Sequence, residues 1–463
     1  MAKIQFLGAT GTTTGSKFLF EHNGFKILID CGLFQGLKQL RLRNWAKFPI
    51  NPAEIDAVAL THAHIDHTGY LPRIVKTGFS GKVYSTKSTA DLGKIMLLDS
   101  AHLQEEDAKW ANKKGFSKHS EALPLYDKKD AEAAIQLFHP LPYEHTEQLT
   151  ENISIRFRDA GHILGSAFII VEWKAENGEK KKLVFSGDIG RPATPILRDP
   201  SLITEADFMV IESTYGNRLH GEEHPKVELA RIIRESATRQ GVLLIPSFSV
   251  GRTQALLYTI RELEETEEIP PLPIFVDSPM ASRATKVFKK NWSDHDLESA
   301  LLEVRGTDIF RTRNLKFTDT TKESMALNDF RGPGIIISAS GMLSGGRILH
   351  HLANKMPHPL TTILFIGYQA KGTRGRAILE GAESVKIHGN RVAVKAHIEN
   401  ISGFSAHADY QEIFAWLRGF EKKPKQTFVV HGEQEYSESM AEKLNANGFK
   451  AMVPEYCQTV ELV

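Results

Sequence analysis

One stretch constrains this chain more than any other, because it places three histidines and one aspartate within six positions: Thr61-His62-Ala63-His64-Ile65-Asp66-His67. The apolar run at 55–60 predicts a buried strand before it, and the glycine and proline at 69–72 predict a turn after it. Active sites are commonly built in loops at strand ends. Imidazole and carboxylate ligands suit a borderline divalent cation such as Zn²⁺. The stretch therefore predicts a metal site, and solvated surface histidines are the alternative that the dense spacing disfavours.

Other histidines and aspartates also follow predicted strands, namely Asp30, His162, Asp188 and His431. Asp30 closes a hairpin predicted at 17–29, and taken alone it would be an ordinary turn residue. Beside a histidine cluster, however, a carboxylate can orient a ligand imidazole. Because one cluster cannot by itself fill two metal sites, this recurrence predicts a site assembled from several strand ends.

Length and composition set the broad class of the protein. A chain of 463 residues is too long for one compact core, so we expect two domains. The 57 lysines and arginines balance 56 aspartates and glutamates, which disfavours a globally basic nucleic-acid binder but leaves a local basic face open. Two cysteines, Cys31 and Cys457, are too few for a secreted disulfide scaffold. Without a signal-peptide pattern or a membrane-length apolar run, we expect a soluble cytoplasmic protein.

The pattern of elements changes at about residue 209. Helices and short apolar strands then alternate, which predicts a parallel sheet that is covered on both faces. Beyond about residue 383 strands dominate again, so we expect a first domain over 1–208, an inserted domain over 209–383 and a completing part over 384–463. Individual elements are also expected, among them helices over 127–138 and from Ser437, and one strand over 392–397.

The motifs together resemble a known family. His62-x-His64-x-Asp66-His67 with His162 and Asp188 resembles the metallo-β-lactamase fold in its dinuclear hydrolase form. Glu212, His407 and His431 resemble the three extra motifs of the β-CASP nucleases, which include ribonuclease J and the cleavage-and-polyadenylation nuclease. The resemblance covers essentially the whole chain. It implies an α/β fold, a metallo-β-lactamase αββα sandwich with an inserted β-CASP domain whose mainly parallel sheet is flanked by helices.

The resemblance also implies a set of ligands for two Zn²⁺ ions. One ion would be bound by His62, His64 and His162, the other by Asp66, His67 and His431, and Asp188 would bridge them. Asp30 would steady a ligand histidine from outside the ligand set. Two zinc ions would lower the pKa of a bridging water, supply hydroxide at neutral pH and clamp the phosphoryl oxygens.

The leaving oxygen of a cleaved phosphodiester still needs a proton. By resemblance to the family, this role falls to His407, which Glu212 would hold in place. A histidine suits the role because its side chain titrates near neutrality. The alternative is that His407 merely precedes a helix start, with Asp409 solvated.

The resemblance implies RNA as the substrate, because this chain resembles the RNA-acting members of the family in carrying a histidine at position 431. We therefore expect a dinuclear-zinc ribonuclease that acts on single-stranded RNA in RNA processing or decay, as an endonuclease or a 5′-exonuclease. The alternatives are a β-CASP DNA nuclease, another hydrolase of this fold acting on a thioester or lactam, and a non-catalytic RNA-processing scaffold. No nucleic-acid-binding extension precedes the first predicted strand, so we expect the bare two-domain form. No membrane partner is expected, and a homodimer is one possible assembly.

Serines and basic residues of the inserted domain suit a phosphate, because hydroxyls, backbone N–H groups and arginines at helix starts bind anions. Each of these signals is weak alone, since serine and glycine also cap helices. The residues expected to contact the RNA backbone are Ser247, Ser249, Arg252, Ser338, Ser340, Arg347, Lys371 and Arg374.

Overall fold

The computed structural model describes residues 1–115, 121–221, 224–367, 369 and 372–463, with the side chain of Ser402 left aside. These residues form two compact units. Unit 1 consists of Met1–Thr194, Arg198–Leu219 and His407–Val463, and unit 2 consists of Pro195–Leu197 and His220–Ala406. The domain limits expected from the sequence, after 208 and after 383, stay a prediction.

Both units contain β-strands. Along the chain they are β1 (Ala2–Phe6), β2 (Phe18–His22), β3 (Phe25–Ile29), β4 (Ala57–Ala59), β5 (Lys82–Thr86), β6 (Phe138–Leu141), β7 (Thr146–Thr150), β8 (Ile153–Asp159), β9 (Ala167–Lys174), β10 (Lys180–Phe185), β11 (Phe208–Glu212), β12 (Val242–Pro246), β13 (Ile274–Asp277), β14 (Leu315–Phe317), β15 (Gly334–Ser338), β16 (Thr362–Phe365), β17 (Ser384–Ile387), β18 (Asn390–Ala393), β19 (His397–Asn400), β20 (Gln426–Val430), β21 (Ala451–Met452) and β22 (Thr459–Glu461).

Helices connect and cover these strands. They are α1 (Lys38–Arg43), α2 (Ile65–Thr68), α3 (Leu71–Lys76), α4 (Lys87–Lys114), α5 (Lys128–Gln136), α6 (Pro225–Thr238), α7 (Arg252–Glu265), α8 (Pro279–Lys290), α9 (Leu297–Val304), α10 (Thr321–Ala326), α11 (Ile348–Lys355), α12 (Arg374–Leu379), α13 (Tyr410–Leu417) and α14 (Gln434–Ala446). Short 3₁₀ turns cover Pro52–Glu54, Trp292–Asp294 and Ser402–Phe404. In the described part of the chain, no helix combines the length and apolar character needed to cross a bilayer.

Unit 1 is a sandwich of two sheets, in the order β22-β1-β2-β3-β4-β5-β6 and β21-β20-β11-β10-β9-β8-β7. Alternation along the strands sends one set of side chains inward, so that Phe6 of β1 and Phe157 of β8 belong to one buried core. On the outer face of the first sheet, Val58 packs in a second core with Leu97 of α4. On the outer face of the second, Ile211 packs with Trp416 of α13. These layers confirm the predicted αββα sandwich.

Unit 2 contains the sheet β14-β13-β15-β12-β16-β19, in which every neighbouring pair is parallel. Its central strands β12 and β15 are fully buried and almost entirely apolar, because both faces of a parallel sheet are covered by helices. One core places Leu244 and Ile336 with Leu352 of α11. The separate hairpin of β17 and β18 completes the unit. The mainly parallel sheet flanked by helices agrees with the prediction.

Three expected elements differ from the structure. The helix expected over 127–138 ends at Gln136, and Phe138 begins β6, because a proline at 140 disfavours helical backbone in the residue before it. The strand expected over 392–397 is two strands, since β18 pairs with β17 whereas β19 pairs with β16. The helix expected from Ser437 begins at Gln434, directly after the loop that carries His431.

Candidate metal centre

The predicted ligands of unit 1 meet at one edge of the sandwich, because the strands before them end there. Asp30 follows β3, the histidine stretch follows β4, and Asp188 follows β10. Strands β3 and β4 are parallel, as are β10, β11 and β20, so that their carboxyl ends lie side by side. Residues more than a hundred positions apart thereby become neighbours.

A first group of donor atoms comes from three histidines. Nε2 of His62 lies 3.1 Å from Nδ1 of His64, and Nε2 of His162 lies 3.3 Å from the same atom. Oδ2 of Asp188 lies 3.4 Å from Nε2 of both His62 and His162. His62, His162 and Asp188 are buried and His64 is half-buried, and their donor atoms converge closely enough to hold one metal ion.

A second group lies beside the first. Nε2 of His67 lies 3.1 Å from Nε2 of His431, and Oδ2 of Asp66 lies 3.6 Å from the latter atom. Oδ1 of Asp188 lies 3.3 Å from Nε2 of His67. The structure thus assembles a second set of converging nitrogen and oxygen donors, with Asp188 between the two sets.

The Asp188 carboxylate tests whether these residues fit metal ions. Its two oxygens face different donor groups, and buried Oδ1 accepts no hydrogen bond from the described residues. A buried carboxylate oxygen without a partner is costly, and cations on its two sides would remove that cost. The donor set also lacks the paired cysteines of structural zinc sites. The residues therefore fit a pair of cations that share one carboxylate.

Burial keeps most of the ligand histidines neutral. Desolvation lowers the pKa of His62 to about 3 and that of His64 to about 4, and it holds the pKa of His162 well below its ordinary value. Neutral imidazoles have the free lone pair that a metal ligand needs. For His67, desolvation also acts to lower the pKa, but the carboxylates of Asp188 and Asp30 outweigh it and raise the pKa well above the ordinary value.

Asp30 and Thr61 orient two ligand histidines through the ring nitrogens that point away from the site. Nδ1 of His67 lies 2.7 Å from Oδ2 of Asp30, so that its N–H donates to the carboxylate and Nε2 faces the site. The hydroxyl of Thr61 donates to Asp30 and lies 3.1 Å from Nδ1 of His62, which fixes that ring in the same way. Asp30 was expected in this role, whereas Thr61 was missed, although its place directly before the first histidine is a signal.

Thr214 was missed as well. Its hydroxyl donates to the carbonyl of His431 and lies 3.2 Å from Nδ1 of the same residue, which leaves Nε2 facing the second group. The backbone N–H of His431 donates to the carbonyl of Ala9 at 2.7 Å. A hydroxyl residue two positions after the strand-end carboxylate Glu212 is the sequence signal that could have identified Thr214.

The structure brings together Glu212 and His407, the pair that the family resemblance implies. Oε1 of Glu212 lies 3.3 Å from Nδ1 of His407 and accepts the N–H of Ile189 at 2.5 Å. Glu212 is fully buried, whereas the side chain of His407 is 19% exposed and its Nδ1 lies 3.9 Å from Oδ2 of Asp188. Asp409, expected to be solvated if His407 is only a residue before a helix, is buried and caps α13.

The serines expected to contact RNA lie in unit 2, at or just beyond the carboxyl ends of β12 and β15. Ser247 and Ser338 are buried, and Ser338 donates to the carbonyl of Asp277. Ser249 and Ser340 are half-buried. The structure therefore leaves the second serine of each pair closer to the surface.

The basic residues expected to contact RNA bind other parts of unit 2. Arg347 donates to the carboxylate of Asp277 and to two backbone carbonyls, and Arg374 donates to the carbonyls of Lys386 and Leu343. The guanidinium of Arg252 lies 5.1 Å from the ring centre of Phe248. Lys371 lies outside the described residues.

Comparisons with known families agree with this geometry. The Metallo-beta-lactamase superfamily domain matches residues 19–204, and the Beta-Casp domain matches 253–378. The Zn-dependent metallo-hydrolase RNA specificity domain matches 391–454.

Individual relatives span the chain. The protein named Ribonuclease TTHA0252 from Thermus thermophilus is 35% identical over 99% of this chain and 99% of its own length. An RNase J-like protein from Methanocaldococcus jannaschii is 30% identical over 95% of each chain, and transcription termination factor FttA of that organism is 29% identical over 93% of this chain and 67% of its own. A solved Enterococcus faecalis protein of unknown function shares the fold, with a TM-score of 0.55 at 12% identity over 99% of each chain. The chain therefore belongs to the β-CASP ribonuclease family of the metallo-β-lactamase fold.

Proposed function

We propose that this protein is a zinc-dependent ribonuclease that hydrolyses the phosphodiester bonds of single-stranded RNA. The observation that carries the proposal is the position of Asp188, whose two carboxylate oxygens face two separate groups of histidine and aspartate donors. Family membership supports the same chemistry, since relatives are named ribonuclease and RNase J-like protein.

The chain supplies ligands for two zinc ions. His62, His64 and His162 would hold one, Asp66, His67 and His431 the other, and Asp188 would contribute one oxygen to each. Bound zinc supplies a water of lowered pKa and a positive charge for the phosphoryl oxygens. Asp30, Thr61 and Thr214 keep the imidazoles aimed at the site.

His407, positioned by Glu212, donates the proton that the leaving oxygen needs. The buried carboxylate of Glu212 accepts the Nδ1 proton of His407, so that the opposite ring nitrogen is the atom that gives a proton away. The partial exposure of His407 allows substrate to reach it.

Unit 2 offers backbone contacts for RNA at a crevice of its sheet. The chain leaves β12 towards β13 on one side and leaves β15 towards β16 on the other, although β12 and β15 are neighbours. Ligands of parallel sheets bind at such a switch point, at the carboxyl ends of the strands. Ser249 and Ser340 lie there, and we propose that they, more than the internally bonded Arg347 and Arg374, contact phosphates.

RNA is the proposed substrate for two reasons. The RNA specificity domain matches the part of the chain that carries His407 and His431, and the named ribonuclease relatives cover the chain. Endonuclease and 5′-exonuclease action are both compatible with this site, and both belong to the proposal. We also propose cytoplasmic RNA processing or decay, and a homodimer remains a prediction.

The test is hydrolysis by zinc-loaded protein of single-stranded RNA, matching DNA and a thioester, each with and without a chelator. We expect cleavage of RNA that the chelator abolishes. Turnover of DNA or the thioester while RNA survives would assign the protein to another activity of the same fold. Binding of RNA without any cleavage would make it a scaffold. RNA labelled at either end distinguishes internal cuts from stepwise removal at the 5′ end.

A further inference from the structure

The connection between β3 and β4 includes a segment that contributes no residue to the metal centre. Residues 37–47, called the basic–aromatic segment below, include α1, and that helix buries none of its residues. Three large apolar side chains stand in solvent, with exposed fractions of 61% for Leu37, 56% for Leu42 and 53% for Trp45. Exposed apolar residues that cluster in this way mark interaction sites more often than isolated ones do.

The basic–aromatic segment is also strongly charged. It holds four cations and no acidic residue, although the whole chain has a formal charge of only +1. The cations are Lys38, Arg41, Arg43 and Lys47. Among the described residues, none of the four forms an ion pair. The positive charges of the exposed Lys38, Arg41 and Lys47 are therefore available to an outside partner.

The segment has a fixed base. Phe34 and Asn44 exchange two hydrogen bonds: the Phe34 N–H donates to Oδ1 of Asn44, and Nδ2 of Asn44 donates to the Phe34 carbonyl, at 3.0 and 2.8 Å. The guanidinium of Arg43 lies 4.2 Å from the ring centre of Tyr456 and 5.4 Å from that of Phe34. These contacts hold the C-terminal end of α1 to the body of unit 1, so that a bound partner would not have to order the whole segment.

The same base adjoins the metal centre. The N–H of Leu33 donates to the carbonyl of Ile65 at 2.9 Å, and the N–H of Cys31 donates to the carbonyl of His67 at 2.7 Å. Residues 31–34 thus support α2, which carries Asp66 and His67, and the chain passes from this support into the segment within three residues. The basic–aromatic segment therefore begins three residues after the backbone that supports Asp66 and His67.

We propose that the basic–aromatic segment is a binding surface for single-stranded RNA outside the metal centre. Its cations would neutralise phosphates, and the exposed indole of Trp45 would stack on a base. Proteins bind single strands through this combination, since the backbone is anionic and every base has a flat face. The inference rests on the proposed ribonuclease function, because it assigns the segment to the RNA that the metal centre cuts.

A second copy of the chain is the alternative occupant, and the charge disfavours it. A two-fold contact centred on this segment would bring it close to its own positive copy, where like charges repel. With no carboxylate inside the segment to offset them, four cations would repel four others. A polyanion has the complementary charge.

The test measures the affinity of the full-length protein for a phosphorothioate RNA of about 20 nucleotides and for one of about 4, over a range of salt concentrations. Trp45→Ala should weaken binding of the longer RNA by about 10-fold. It should also reduce the ratio of the affinity for the longer RNA to that for the shorter RNA. The double variant K38Q/R41Q removes two cations, so the slope of log affinity against log salt should decrease by about 1.4.

Two controls match these variants elsewhere in unit 1. Trp110→Ala removes an equally exposed indole, 55% against 53%, from a part of α4 where three lysines balance three acidic residues. K128Q/K129Q removes two exposed cations from α5. Both controls should bind RNA as the wild type does, and thermal melting of all four variants should match the wild type because every site is exposed.

Each remaining outcome decides one question. Wild-type affinity and salt dependence in Trp45→Ala and K38Q/R41Q, in a protein that cleaves RNA, would overturn the RNA surface and leave the ribonuclease proposal intact. A wild-type dimer that Trp45→Ala converts to a monomer, with RNA affinity unchanged, would assign the segment to self-association. Weakened binding in these variants of a protein that never cuts RNA would support the surface and contradict the proposed function.

Discussion

Thr61 donates both its backbone N–H and its hydroxyl to the carboxylate of Asp30, at 2.8 Å from the nitrogen to Oδ1 and 2.9 Å from the oxygen to Oδ2. Both residues are almost completely buried, so that no water competes for these bonds. The pair joins the ends of β3 and β4 and holds two histidines, one through each member. Metal affinity should therefore depend on a hydroxyl that binds no metal itself.

Thr61→Val removes that hydroxyl and keeps the shape of the side chain. We expect zinc affinity to fall by about 10- to 100-fold, because His62 loses the partner that fixes its ring. Competition with a chromophoric chelator measures this affinity directly. Thr61→Ser retains the hydroxyl and is the matched control, so equal affinities in the two variants would contradict the role of Thr61.

Asp66→Ala removes a donor from the second group alone. We expect the zinc content to fall by about half and RNA cleavage to be lost, because the second ion would lose one of its four protein donors. Metal analysis of the purified variant after dialysis gives the content. Retention of the full zinc content would exclude Asp66 from the ligands.

His407→Ala should separate proton transfer from metal binding. We expect kcat to fall by roughly 10²- to 10⁴-fold, as is usual for loss of a general acid, while the zinc content stays near that of the wild type. Single-turnover cleavage and metal analysis are the two measurements. His102→Ala, at an exposed position of α4, is the control. Loss of zinc in His407→Ala would place His407 among the ligands.

Lys17 makes stability depend on pH. Burial lowers its pKa to about 7 from 10.5, with Arg43 contributing and Cys31 opposing, and its Nζ donates to the carbonyls of Gly15 and Gly32. Between these values the unfolded chain binds more protons at this residue, so the free energy of unfolding should rise with pH.

The comparison that isolates this effect is wild type against Lys17→Met between pH 7 and 9. The free energy of unfolding of the wild type should rise relative to the variant by up to about 1.4 kcal/mol per pH unit. Above pH 9 burial of Cys31, which raises its pKa to about 12, acts in the opposite direction. Urea denaturation gives both profiles, and parallel profiles would contradict a lowered pKa at Lys17.

Sequence reasoning could name the residues that the structure brings together at the candidate metal centre because several of their signals are local. A histidine or an aspartate directly after an apolar strand can be recognised from a few neighbouring residues, as with His162 and Asp188. The family motifs added Glu212 and His407, which are 195 positions apart and lie 3.3 Å from each other. The parallel sheet of unit 2 followed from the local alternation of helices and apolar strands, whereas the sandwich of unit 1 was implied by the family resemblance.

What only the tertiary structure decided depends on contacts between distant residues. Thr61 and Thr214 became recognisable when folding placed their hydroxyls against ligand imidazoles. Arg347 looked available for RNA in the sequence, but the structure binds it to Asp277, because a buried carboxylate attracts the nearest guanidinium.

The sequence by itself therefore determined which residue types the chain supplies to the centre and on which strand ends they stand. The fold decided which nitrogen of each ring faces the site and which oxygen of Asp188 faces which group of donors. Periodicity and spacing report backbone conformation, whereas side-chain orientation is set by hydrogen-bond partners that the chain brings from elsewhere.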